Sequence, residues 1–266
     1  MKIGCCINML ATESDIVGKN FIPKVAQVGF DYVEIPLAET TSLNDDEFEA
    51  LKKLVEDSGI PCEVCNNFFP KTLRLTGPDV DDEAVSAYIN KSLGRAAELG
   101  AKVVVFGSGP AKTIPEGFPM EDGYQQIQDL AIEISAIADS HGITVVLEPL
   151  RNQECNILNS FKEGVELAKT IERDSIMVLV DYFHFAQNSE SVDALLSDGY
   201  EWLEHVHFAN NAGGRIFPAT LDEDNYATFI DALKTIGYDN RVSVEAFTDD
   251  FDKAAPVALE FCRNNF

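Results

Sequence analysis

Residues 143–184 read ITVVLEPLRNQECNILNSFKEGVELAKTIERDSIMVLVDYFH. Two short runs of β-branched and apolar residues, TVVLEPL (144–150) and IMVLVDYFH (176–184), bracket a longer amphipathic stretch. That order predicts two parallel strands joined by a crossover helix, because parallel strands are covered on both faces and read as near-continuous apolar runs. Working outward, six more such runs appear: KIGCCI (2–7), YVEIPL (32–37), CEVCNNFF (62–69), VVVFGSG (103–109), LEHVHFAN (203–210) and RVSVEAF (241–247). Their starts recur on average about every 34 residues, close to the unit length of a ~250-residue barrel of eight βα units. An α/β fold of the (β/α)8, or TIM, barrel type follows. No Pro-, Gly- or Ser-rich linker interrupts it, so residues 1–266 are expected to form one domain.

The intervening segments carry helix punctuation. Asn44 and Glu47 are spaced as a capping box that opens DDEFEALKKLVEDS, and Gly59 closes it. Val85, Ile89, Leu93, Ala96 and Leu99 form a helical stripe that ends at Gly100, and a third helix runs to Gly142.

Composition narrows the function classes. With 45% hydrophobic residues the 266-residue chain can bury a substantial core, and its formal net charge of −25 repels phosphate backbones and anionic membrane surfaces. Neither a nucleic-acid nor a membrane partner is expected. The opening MKIGCCINML is interrupted by Asn8 and soon after by Glu13, which is unlike a cleavable signal, so a cytoplasmic location is expected. The six cysteines are too sparse for a disulfide scaffold and are read as reduced thiols. Cys62 and Cys65 sit three apart on a strand, and period-two geometry would send them to opposite faces as buried small side chains.

In such a barrel, chemistry is built at the carboxyl ends of the strands. Four successive strands each place an ionisable residue there: Glu148, Asp181, His207 and Glu245. Unpaired carboxylates in that setting carry a large desolvation cost, so something positive must neutralise them. Three carboxylates and one imidazole make a hard, oxygen-rich set suited to a single catalytic divalent ion, Mn2+ ahead of Mg2+, Co2+ or Zn2+. The competing reading is a set of separate contacts to Lys or Arg. His184 and Arg215 belong to the same rim and offer donors to an oxygenated ligand, whereas His205, two residues before His207, should pack one layer deeper. Glu34 ends its strand facing the rim, either to touch substrate or to pair with a basic residue. Lys112 lies in a Gly-containing loop that could receive a phosphate or merely turn the chain.

These residues resemble the xylose-isomerase-like superfamily of sugar isomerases and epimerases, in particular the ketose 3-epimerase branch typified by D-tagatose and D-allulose 3-epimerases. The resemblance rests on E-P-L with Glu154 six residues after Glu148, D-x-x-H at Asp181 and His184, H-V-H ending at His207 with Arg215 in the following loop, and V-E-x-F at Glu245. It implies that Glu148, Asp181, His207 and Glu245 bind one divalent cation and that Glu154, His184 and Arg215 hold a small carbohydrate. It further implies that Glu148 and Glu245 are the catalytic pair, moving a proton alpha to a ketose carbonyl on opposite faces through an enediolate, and that the chain forms a homo-oligomer. The family's Asn-Arg after E-P-L is reversed here as Arg151-Asn152, leaving either residue to reach the ligand.

Rival activities share the frame. Apurinic endonucleases of this superfamily need more histidines than the four present, and the charge of −25 opposes DNA. A dehydratase or lyase acting on a keto-inositol or glycoside begins with the same proton abstraction, a sugar phosphate could replace the free ketose, and a non-catalytic sugar-binding barrel would keep the same ligands.

Overall fold

The computed structural model describes residues 1–266 and contains the eight expected strands in one closed parallel barrel, β1 to β8 in sequence order. They are β1 (Lys2–Cys6), β2 (Tyr32–Pro36), β3 (Cys62–Asn66), β4 (Val103–Phe106), β5 (Thr144–Leu147), β6 (Ile176–Asp181), β7 (Leu203–Phe208) and β8 (Arg241–Val244). Each is shorter than its apolar run, because the residues after the last ladder bond turn outward into the rim loops. Long helices cover the outside, among them Asp45–Ser58, Asp82–Leu99, Met120–His141 and Phe251–Asn265. The Asn44–Glu47 capping box forms in both directions, and Gly59, Gly100 and Gly142 end their helices in the left-handed conformation. No helix is long and apolar enough to cross a membrane.

Most of the core, 73 buried residues, lies between the sheet and the helices. A smaller cluster of Tyr32, Val64, Val103, Val105, Val146 and Leu179 fills the barrel itself. Gly4 makes room for it: a Cβ there would lie 2.2 Å from the Tyr32 ring. Below this layer Glu63 closes the floor, accepting from Lys2 and from Arg241 Nε at 2.7 Å. The filled interior leaves only the upper rim for chemistry.

The expectation for Cys62 and Cys65 is corrected. Their sulfurs lie 3.9 Å apart and both pack in the outer core. Val33 pairs with Cys62 while Glu34 pairs with Val64, so Glu63 is an extra residue in β3. This bulge adds one step to the alternation and returns Cys65 to the face of Cys62. All six cysteines are free.

Candidate metal and sugar site

Four side chains converge above the filled barrel. Asp181 is the last residue of β6 and His207 the penultimate residue of β7, while Glu148 and Glu245 follow β5 and β8 by one position. The two glutamates remain in the ladder, since Glu148 N donates to Phe106 O at 3.2 Å and Glu245 N to Phe208 O at 3.1 Å. The sheet therefore sets all four positions. One ligand atom from each lies within 4.8 Å of all the others, and all four residues are buried. A Cβ at Gly107 would lie 2.0 Å from Glu148 Oε2, so a glycine there keeps space for the carboxylate.

His207 is held from below. Its Nε2 lies 2.7 Å from Glu34 Oε1, and Glu34 Oε2 takes His205 Nε2 at 3.0 Å and Ser243 Oγ at 2.5 Å. With Nε2 committed to a carboxylate, Nδ1 faces Glu245 Oε2 at 2.9 Å and Glu148 Oε1 at 3.3 Å without making a hydrogen bond. Burial alone would depress the His207 pKa, but Glu34 and Glu245 outweigh it and hold the imidazole well above its ordinary value. A proton is drawn to the point where a cation would sit. Burial would likewise raise Glu245, yet Arg215 and His207 hold its carboxyl well below the usual range.

Arginine compensates part of the charge. Arg215 Nη2 lies 2.7 Å from Asp181 Oδ2 and also contacts Glu245, while its guanidinium sits 4.9 Å from the Phe183 ring centroid. Its backbone is held in the left-handed region at φ 67°, fixed by bonds from Arg215 N to Asn210 O and from Phe247 N to Arg215 O. The reading of separate arginine contacts thus holds for Asp181 and Glu245. It fails for Glu148, whose carboxylate has no Lys or Arg within ion-pair range. An outward-facing imidazole nitrogen without a hydrogen bond, an uncompensated glutamate and a donor set of three carboxylates and one imidazole fit one divalent cation. A second grouping, Cys6, Glu34 and His207, fits less well: burial, then Glu34, push the Cys6 thiol far up, and His207 Nε2 is already bonded.

The cluster opens into a cavity of about 520 Å3 lined in part by Glu148, Glu245, Glu154, His184 and Arg215. His184 Nδ1 accepts from Arg151 N at 3.4 Å, which leaves Nε2 as the protonated nitrogen, 3.5 Å from Asp181 Oδ2. Glu154 is paired with Arg151 Nε at 2.7 Å, and Arg151 lies over Phe183 at 5.0 Å. Asn152 turns instead to Asn188 Oδ1 at 3.2 Å. The structure thus gathers all seven sequence-predicted site residues around one cavity or directly beneath it.

Two open readings are decided, and the rim placement of Glu34 is corrected. Glu34 does not reach the rim; it lies fully buried under His207, pairing with the two histidines. Lys112 does not face a phosphate: it is fully buried, with Nζ donating to Glu148 O at 3.0 Å, and burial lowers its pKa. Asn8 and Asn66 show no site pattern in sequence yet both direct Nδ2 to Glu245 Oε1, at 2.7 and 3.4 Å. Only their places at the ends of β1 and β3 hinted at this.

Comparison with known proteins places the chain. It is 25% identical over 259 residues to a D-psicose 3-epimerase of Ruminiclostridium cellulolyticum and 24% identical over 252 residues to a ketose 3-epimerase of Arthrobacter globiformis, in each case covering 93% of this chain and 84% of the relative. An inosose isomerase of Bacillus subtilis is 28% identical over 136 residues, 47% of this chain and 48% of that protein. A crystal structure of D-psicose 3-epimerase determined in the presence of D-fructose superposes with a TM-score of 0.87 at 23% identity, covering 100% of this chain and 99% of that one. The IOLI protein, solved with a bound zinc atom, gives 0.72 at 22% identity, covering 100% and 96%. A sequence model of the xylose isomerase-like TIM barrel matches residues 22–265, and the chain belongs to that family.

Proposed function

We propose that the chain is a divalent-metal-dependent ketose epimerase or isomerase that moves a proton on the carbon beside the carbonyl. The observation that carries this reading is the grouping of Glu148 and Glu245 with Asp181 and His207 within 4.8 Å, both glutamates lining the cavity. Its curated relatives include 3-epimerases of D-psicose, of ketoses and of L-ribulose. Glu148, Asp181, His207 and Glu245 would hold the ion. Bound there, Mn2+ or a similar cation supplies Lewis-acid polarisation of the substrate's oxygens, stabilising the charge that develops when the proton leaves.

The chain's residues supply the rest. Glu245, kept ionised by Arg215 and His207 and oriented by Asn8, accepts the proton from one face of the sugar. Glu148, carrying a proton taken from solvent through the open cavity, returns it to the opposite face, and the proton left on Glu245 passes back to solvent. His184 Nε2, Glu154 and Arg215 position the hydroxyls from the cavity wall. The test is proton exchange from D2O into D-psicose, D-fructose and D-tagatose followed by NMR, with and without Mn2+. Deuterium at the carbon beside the carbonyl only with metal supports the proposal, and exchange that is indifferent to metal removes it.

The inosose isomerase similarity supports a second substrate, a keto-inositol, for the same two glutamates. Including an inosose in the exchange experiment decides between an open-chain ketose and a cyclic ketone.

A further inference from the structure

Glu148 and Glu245 stand one residue beyond β5 and β8, and in each the backbone carbonyl is taken by a cationic side chain. Arg215 Nε donates to Glu245 O at 3.3 Å, and Lys112 Nζ donates to Glu148 O at 3.0 Å. The two cations differ in what else they hold. Arg215 reaches the carboxylates of Asp181 and Glu245, whereas the fully buried Lys112 forms no ion pair with any Asp or Glu. A buried ammonium without a carboxylate partner carries a large desolvation cost, and an apolar side chain of the same length would fill the space without it. Packing alone does not account for this lysine.

What it holds is the peptide between Glu148 and Pro149. β5 ends at Leu147, and no backbone N–H reaches Glu148 O. On the other side of the residue, Glu148 N donates to Phe106 O at 3.2 Å. Both peptides flanking the Glu148 Cα are therefore tied to one neighbour, β4 and the short helix Gly109–Lys112 that follows it. Gly107, between these two anchors in the chain, leaves the room that the carboxylate fills. Lys112 is itself fixed, with its N–H on Ser108 O at 3.1 Å, its carbonyl accepting from Thr76 Oγ1 at 3.2 Å, and Nζ 5.5 Å from the Phe106 ring centroid. Phe106, Gly107 and Lys112 thus converge on a single glutamate.

We infer that Lys112 is a positioning residue for Glu148, its ammonium fixing the peptide beneath the carboxylate and so the angle at which that carboxylate meets metal and substrate. The inference rests on the two-glutamate reading above and adds that the two halves of the proton transfer have separate supports, Lys112 for Glu148 and Arg215 for Glu245. A misplacement of about 1 Å can cost about 10^2-fold in rate. Loss of Lys112 should impair the step that Glu148 carries and spare the step that Glu245 carries.

Lys112→Met keeps the length of the stem and removes the donor and the charge. D-fructose and D-psicose, epimers at C3, are supplied separately to wild type and variant at saturating Mn2+ in D2O, and deuterium at C3 and the appearance of the other epimer are followed by NMR. In wild type both sugars should exchange and interconvert. In the variant, interconversion should fall by about tenfold or more. The epimer whose proton Glu245 removes should still exchange within a few-fold of wild type, because Glu245 trades that proton for a solvent deuteron and returns it to the same face. Exchange from the other epimer should fall with interconversion. Equal loss from both epimers, or loss from neither, overturns the inference and leaves the epimerase standing. If wild type exchanges neither sugar, the epimerase reading fails and metal binding decides the inference: by calorimetric titration the Mn2+ dissociation constant of Lys112→Met should be about tenfold above wild type with native far-UV circular dichroism, and equal constants overturn it. Lys112→Gln, whose amide ends one bond short of Nζ, replaces the methionine variant in both measurements if that variant does not fold.

Discussion

His207 Nε2 and Glu34 Oε1 lie 2.7 Å apart at the base of the site, both fully buried. That bond fixes which imidazole nitrogen faces the carboxylates, and Glu34 is itself fixed by His205 and Ser243. The arrangement is the carboxylate–histidine support found beneath many metal ligands, whose loss typically weakens metal binding by about 10–100-fold. Glu34→Gln is therefore expected to raise the Mn2+ dissociation constant by about that factor while the far-UV circular dichroism stays native. Calorimetric titration with Mn2+ is the check, and undiminished affinity would remove Glu34 from the support of the site.

Arg215 is expected to have two separable roles. Without metal it faces Asp181 and Glu245, and removing one member of a buried ion pair costs about 3–5 kcal/mol. Metal-free Arg215→Ala should melt several degrees below metal-free wild type, with Mn2+ recovering most of the difference. Its KM for the ketose should rise more than its metal content falls. A thermal melt in EDTA and in Mn2+, beside steady-state kinetics, separates the two roles.

Metal removal alone should also register in wild type. An ion present at a hundred times its dissociation constant stabilises the native state by about 2.7 kcal/mol. For a chain of this size, EDTA should lower the melting temperature by about 5–10 °C. Identical melting curves with and without Mn2+ would count against the metal site.

Glu245→Gln tests the base directly. The amide keeps an oxygen for the cation and for Asn8 but cannot accept a proton, so proton exchange from D2O should fall by about 10^2–10^4 while part of the Mn2+ affinity persists. Loss of metal in step with activity would recast Glu245 as a ligand alone.

The parts legible in the sequence are those written in local patterns. Buried parallel strands leave continuous apolar runs, and an ionisable residue at the end of such a run stands out, so the barrel and the Glu148, Asp181, His207 and Glu245 cluster were readable. Other features depend on relations between strands. The depth of Glu34 relative to His207 follows from the stagger of the closed sheet, in which Cys6 pairs with Glu34 and Asp181 with His207. The common face of Cys62 and Cys65 needs the bulge at Glu63, and the burial of Lys112 needs the short helix Gly109–Lys112 that turns it beneath Glu148. Asn8 and Asn66 carry residue types common in any loop, and only the fold brings them to Glu245.

Glu190 offers a test of stability away from the cavity. Burial, reinforced by Glu163, raises its carboxyl from 4.5 to about 7, against the opposing bond from Phe161 N to Oε2 at 2.8 Å. A carboxyl whose native pKa lies above its unfolded value holds its proton longer in the native state. Its contribution is therefore favourable below about pH 4.5 and is lost as pH rises through about 7. Glu190→Gln keeps an oxygen for Phe161 N and removes the charge. Discounted for partial exposure, its stability advantage over wild type should grow from near zero at pH 4 to about 2 kcal/mol at pH 8. Urea denaturation of both proteins across that range measures the difference directly, with the pH dependence shared by the many other acidic residues cancelling between them. A constant offset would mean that Glu190 is ionised throughout, and a difference that shrinks toward pH 8 would reverse the sign assigned to its burial.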